Sequence, residues 1–176
     1  MGETLDQIER AHNRSSTVSG IDTGFPDLNN QTAGLQGGDL IILAARPSVG
    51  KTAFALSIAR NAALSSIEND QNRGVAIFSL EMSSKQLVER LITSEAEVDS
   101  HLVRTGKLPK NEWKKLSQGA SVLSEANFYI DDSADLNIME LRAKARQLKA
   151  EKDIDILFID YIQLLHAAQK LESRQQ

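Results

Sequence analysis

The stretch LIILAARPSVGKTAFALSIA, residues 40–59, restricts the possible folds more than any other part of the chain. It opens on an unbroken apolar run, residues 40–45, and passes through a short loop of Arg46, Pro47, Ser48 and Val49. Gly50-Lys51-Thr52 follows, and then a helix-forming run. An apolar run of this length reads as a parallel strand buried on both faces. A loop that feeds a helix N-terminus presents backbone N–H groups and the positive end of the helix dipole, which together favour an anion. Gly50 has no Cβ and lets the backbone come close to it. Lys51 can reach the β- and γ-phosphates of a nucleotide, and the Thr52 hydroxyl can bind Mg²⁺. The pattern G-x-x-x-x-G-K-[ST] is broken at one place, because Ala45 stands where the first glycine should be. Pro47 pre-sets a turn inside the loop. The candidate nucleotide-binding residues are therefore Ala45, Arg46, Pro47, Ser48, Val49, Gly50, Lys51, Thr52 and Ala53.

The rest of the composition narrows the function classes. With 176 residues the chain is long enough for one domain with a substantial core. Apolar content of 41% and charged content of 25% match a soluble globular protein. No run approaches a membrane span, and the polar, acidic opening MGETLDQIERAHNR argues against a signal peptide. Cysteine is absent, which removes disulfides, thiolate metal sites and cysteine nucleophiles and fits a cytoplasmic setting. His12, His101 and His166 are scattered without ligand spacing. A net charge of −4 excludes a globally basic nucleic-acid coat, so any contact with nucleic acid has to come from local loops.

Alternating apolar runs and helical periods fill the middle of the chain. Residues 3–12 read as a short polar helix with Leu5 and Ile8 on one face, and residues 13–19 as a connector. A short helix is expected between Pro26 and Ala33, with Gly34 as its stop. Residues 65–73 read as a polar loop, and Val75 to Leu80 as a second buried strand. Ser83 and Gln86 fit a capping box, which starts a helix with Leu87, Val88, Leu91 and Ile92 as its core face. Residues 99–107 read as a polar linker. Pro109 opens another helix, with Trp113, Leu116, Ala120 and Leu123 on one side. Residues 128–130 form a short strand, Asn137 caps the next helix, and residues 154–159 form a third long apolar strand ending in Asp160. This alternation predicts an α/β fold with a mostly parallel sheet flanked by helices.

Three elements should meet at the carboxyl edge of such a sheet, where open α/β proteins bind ligands. The first is the phosphate loop. The second is Asp160, an acid at the tip of an apolar strand, suited to hold Mg²⁺ directly or through water. The third is Glu81, placed to orient or deprotonate the water that attacks a γ-phosphate. The neighbouring Asp131 and Asp132 read as turn and cap chemistry in preference to a metal site.

Taken together, GIDTGFPDLNNQTAGLQGGDLIILAARPSVGKTAFAL, VAIFSLEMSSKQLVERL, RTGKL, FYIDDS and ILFIDYIQLL resemble the ATPase domain of DnaB-type replicative DNA helicases. The similarity runs from about Ser19 to Leu165, and Ala45 conforms to that family's A-R-P-x-x-G-K-T habit. The resemblance implies a RecA-like P-loop NTPase fold, a homo-hexameric ring, and ATP- and Mg²⁺-driven 5′-to-3′ movement on single-stranded DNA, with primase and a helicase loader as partners and no membrane association. It also implies roles: Lys51 and Thr52 on the phosphates and Mg²⁺, Glu81 as catalytic glutamate, Asp160 as the Walker B acid, and Arg90 packed on the adenine base. It divides the chain into the end of a linker helix with its connector (1–18), an incomplete ATPase core (19–165) and a polar tail (166–176). Because family members continue past ILFIDYIQLL, the sequence is expected to be the N-terminal portion of that domain, truncated after the Walker B strand. It is then expected to turn over little ATP alone and to expose apolar sheet edges. A RecA-like recombination or repair ATPase, or a non-hydrolysing regulator of a helicase ring, are the alternative readings.

Overall fold

The computed structural model describes residues 18–68, 73–134 and 136–162. The chain divides into two compact units, residues 1–51 and 52–176. The expected linker helix at residues 3–12 and the polar tail at 166–176 lie outside the described residues.

In the first unit a short helix, α1 (Pro26–Thr32), sits inside a loop closed by an antiparallel bridge between Ile21 and Leu35. Pro26 occupies the first turn, where its missing N–H costs nothing. Ala33 ends the helix in the left-handed region at φ 56°, and Gly34 follows at φ 83°. Gly20 is required where it stands, since a Cβ there would lie 2.3 Å from the Leu35 carbonyl oxygen. Inside the loop the Thr23 hydroxyl donates to Asn29 Oδ1 at 2.7 Å, and Asn29 Nδ2 donates to Asp22 Oδ1 at 2.6 Å.

The expected strand at residues 40–45 does not form. This stretch carries no strand pairing, and Leu40 and Ile42 are 84% and 81% exposed. An apolar run becomes a strand only when a neighbour supplies hydrogen-bonding partners for its backbone. No such neighbour is found among the described residues.

The second unit begins within α2 (Lys51–Glu68), which runs through part of the expected loop at residues 65–73. Leu56, Ile58, Ala59, Ala62 and Ala63 of this helix are buried. Next come β1 (Gly74–Ser79), α3 (Ser84–Glu95), α4 (Ser100–Arg104), α5 (Lys110–Glu125), β2 (Phe128–Asp131), α6 (Ile138–Lys152) and β3 (Ile154–Asp160). The strands form a parallel sheet in the order β2-β1-β3, so β1 is central and buried along its whole length. Phe78, Leu136 and Leu141 form a core cluster, against which Leu80, Leu148, Leu157 and Ile159 pack. The Ser83–Gln86 and Asn137–Glu140 capping boxes both form. The expected linker at 99–107 instead contains α4, whose N-cap is Asp99. On α3 Leu87, Leu91 and Thr93 are buried, while Val88 is exposed. On α5 the predicted core residue Trp113 is 62% exposed, and the buried position is Gly119.

Candidate nucleotide and metal site

The GKT motif and the third strand meet in one hydrogen bond. The Thr52 hydroxyl, in the first turn of α2, donates to Asp160 Oδ2 at the tip of β3 at 2.6 Å. These residues are 108 positions apart. Each donor atom is a hard oxygen, the kind that suits Mg²⁺ and not a soft metal. Among the described residues no three His, Cys, Asp or Glu side chains cluster as an all-protein metal site. The hydroxyl–carboxylate pair fits the usual Mg²⁺ arrangement, in which one or two protein groups act together with substrate phosphates and water.

Glu81 follows β1 at the rim where β3 ends in Asp160. Ser79 and Asp160 are register partners on adjacent parallel strands, so the chain leaves both tips at the same rim. The Leu80 N–H donates to the Asp160 carbonyl at 2.8 Å. Ser79 Oγ donates to the Met82 carbonyl at 2.7 Å and accepts from the Met82 N–H at 3.1 Å. Glu81, between these anchored neighbours, is exposed.

Within the first unit, Ala45 to Gly50 are exposed. Val49 N–H donates to the Arg46 carbonyl, and Ser48 stands at φ 64°. With Pro47 at the second turn position and a positive φ at the third, this is a type II turn, as Pro47 predicts. Gly50 has φ 103°, a conformation that residues with a Cβ rarely adopt. Lys51 is the first residue of α2, and Ala53 is its third.

Arg90 lies on the wall of a cleft of about 560 Å³ in the second unit, between α2, α3 and α4. Ala53 and Ser57 line one side, Gln86 and Glu89 another, and Arg104 reaches it from α4. Ala53 is the residue after Thr52, so the cleft adjoins the start of α2 that bears the Thr52–Asp160 pair. A planar guanidinium on such a wall can stack on a planar base. Residue patterns did not single out Gln86, Glu89 or Arg104 as cleft residues. Gln86 showed as a capping residue, and Arg104 lay in a stretch that carried no helix signal.

At the tip of β2, burial pushes the Asp131 carboxyl up, but hydrogen bonds from Lys144 and Ser133 outweigh it and hold it below the usual carboxylate value. The Ser84 N–H, donating to Asp132 Oδ2 at 2.7 Å, lowers Asp132 as well. Both acids thus do turn and cap work, as their sequence context indicates.

The model of the DnaB-like helicase C-terminal domain matches residues 20–176. The chain is 48% identical over 175 residues to the replicative DNA helicase DnaB of Geobacillus stearothermophilus, covering 99% of this chain and 37% of that protein. It is 45% identical over 174 residues to the replicative DNA helicase DnaC of Bacillus subtilis strain 168, again covering 99% of this chain and 37% of the relative. Among solved structures, one ATPase domain superposes with a TM-score of 0.84 at 30% identity, covering 98% of this chain and 61% of that one. A DnaB-like replicative helicase, described with its interactions with primase, superposes at 0.83 and 30% identity, covering 97% of this chain and 41% of that one. The chain thus spans little more than a third of the length of the two helicase relatives, and from the match across residues 20–176 it belongs to the DnaB-like helicase C-terminal domain family.

Proposed function

We propose that the protein carrying this chain is an ATP-driven replicative DNA helicase, and that residues 19–165 are part of its RecA-like motor core. The observation that carries this reading is the 2.6 Å bond from Thr52 to Asp160, which joins the GKT motif to the strand-tip acid. In this reading the loop of Ala45, Arg46, Pro47, Ser48, Val49 and Gly50 cradles ATP phosphates with backbone N–H groups, and Lys51 binds the β- and γ-phosphates. Thr52 and Asp160 would hold Mg²⁺, which when bound neutralises charge on those phosphates. Glu81 orients the attacking water and takes its proton. Ala53 and Arg90 line the base pocket, with the guanidinium stacked on adenine.

The names of the relatives support the wider proposal. The whole protein acts as a homo-hexamer on single-stranded DNA at a replication fork, moves 5′ to 3′, and meets a primase and a helicase loader in the cytoplasm. No helix among the described residues is long and apolar enough to cross a membrane.

The test is steady-state ATPase and forked-duplex unwinding by the full-length protein, with Glu81→Gln alongside. The expected result is DNA-stimulated turnover that falls at least about 100-fold in the variant, with ATP binding kept. ATP binding without turnover would favour the non-hydrolysing regulator, and turnover that DNA does not stimulate, or that Glu81→Gln leaves unchanged, would also overturn the motor.

A further inference from the structure

The helix α3 begins directly after the loop that bears Glu81, and its first backbone N–H groups are satisfied in an uneven way. A helix start leaves its first N–H groups without intrahelical partners. Ser83 Oγ accepts from the Gln86 N–H, and Gln86 Oε1 accepts from the Ser83 N–H at 3.0 Å. This local box leaves the Ser84 N–H unserved. That group donates instead to Asp132 Oδ2 at 2.7 Å, from a residue 48 positions later on another strand tip. A carboxylate on a first-turn N–H is a charge-assisted bond, and it also meets the positive end of the helix dipole.

Asp132 is itself held in place. Its neighbour Asp131 is a salt-bridge partner of Lys144 on α6, and Asp131 Oδ1 accepts from the Ser133 N–H at 2.9 Å. Lys144 Nζ also donates to Ser133 Oγ at 2.9 Å. The turn that carries Asp132 is therefore fastened on both sides. Upstream of Glu81, the Leu80 N–H is fixed to the Asp160 carbonyl on β3. The short segment around Glu81 is thus tied to β3 before the glutamate and to the β2 tip after it.

We propose that Asp132 is a positioning residue for ATP hydrolysis, setting where the Glu81 carboxylate stands by clamping the start of α3 to the tip of β2. The inference rests on Glu81 acting on the attacking water. It deepens that reading, because it adds a residue that touches no substrate but fixes one that does. Small displacements of a reacting group cost large factors in rate, whereas nucleotide binding by the loop and Lys51 does not depend on where Glu81 stands.

The experiment uses the full-length protein and compares Asp132→Ala, Asp132→Asn and Glu81→Gln. It measures kcat, KM, the affinity for ATP, and amide exchange across residues 80–84. For Asp132→Ala the expected kcat is lower by about 10- to 100-fold, as for other outer supports of reacting groups, with ATP affinity within about twofold and faster exchange at Ser84. Asp132→Asn keeps an acceptor oxygen and is expected to restore most of the rate. Unchanged kcat in Asp132→Ala beside a dead Glu81→Gln would overturn the Asp132 role alone. A loss of ATP affinity equal to the loss of kcat, or an Asp132→Asn as slow as the alanine, would also overturn it. An active Glu81→Gln would remove the reading of Glu81 and this inference with it. Asp132 is exposed, so loss of the fold is not expected from either variant.

Discussion

Asp131 and Asp132 show how much one residue's work depends on a partner far away in sequence. Side by side they invite a metal site, yet Asp131 serves Ser133 and Lys144, while Asp132 serves Ser84. Both carboxyls are held below their usual value, Asp131 because bonds from Lys144 and Ser133 outweigh its burial, Asp132 chiefly through the Ser84 N–H. A depressed folded pKa contributes stability that is present above the unfolded value of about 3.9 and is lost as the pH falls through the folded value. Carbon-detected NMR titration is therefore expected to place both groups below about 3.9, and Lys144→Met to raise Asp131 toward it. The buried Asn29 gives a second prediction at this scale. Its Oδ1 accepts from both the N–H and the hydroxyl of the fully buried Thr23. Asn29→Ala removes that shared acceptor and is expected to cost about 1–3 kcal/mol in chemical denaturation of the first unit. Thr52 and Asp160 each stood out from local context, the one in the GKT motif and the other at the end of an apolar run, but their mutual bond did not. Nor did the Ser84–Asp132 bond, because the capping box at Ser83 looked complete on its own.

At the scale of elements, the helices that sequence patterns located well were those with strong local signals at their ends. Ser83 with Gln86 marked one start, Asn137 a second and Pro109 a third, and Glu140 completes a capping box at the second. Their faces were harder to read. Trp113 has the spacing of a core residue, but α5 turns its small position, Gly119, toward α3 instead. A Cβ on Gly119 would lie 3.1 Å from the Ala96 backbone nitrogen and 3.2 Å from its Cβ. The approach of the two helices is set there by what is missing from a side chain, which apolar periodicity cannot register. Gly119→Leu is expected to force α3 and α5 apart and to destabilise the second unit by about 1–3 kcal/mol, read from thermal or urea unfolding. The short helix α4 went unseen for another reason. Five residues give too little periodicity, and its only local mark is the Asp99 cap.

For the whole molecule, the informative disagreement is at residues 40–45. Leu40, Ile41, Ile42 and Leu43 are exposed where a buried strand was expected. An apolar, unpaired run of this kind is a ready surface for another copy. The 176-residue chain alone is expected to self-associate in light scattering, and Ile42→Lys to shift it toward monomer. A monodisperse unsubstituted chain would contradict that. By itself the sequence determined the turn at Pro47, the caps, the alternation of β and α segments and the acids at two strand tips. Each of these depends on bonds or periodicities spanning a few residues. Only the tertiary structure decided that Asp160 meets Thr52 across 108 positions, that Asp132 holds the start of the helix after Glu81, and that one apolar run stays out of the sheet. These are matters of pairing, and a strand or a carboxylate finds its partner through the fold, not along the chain.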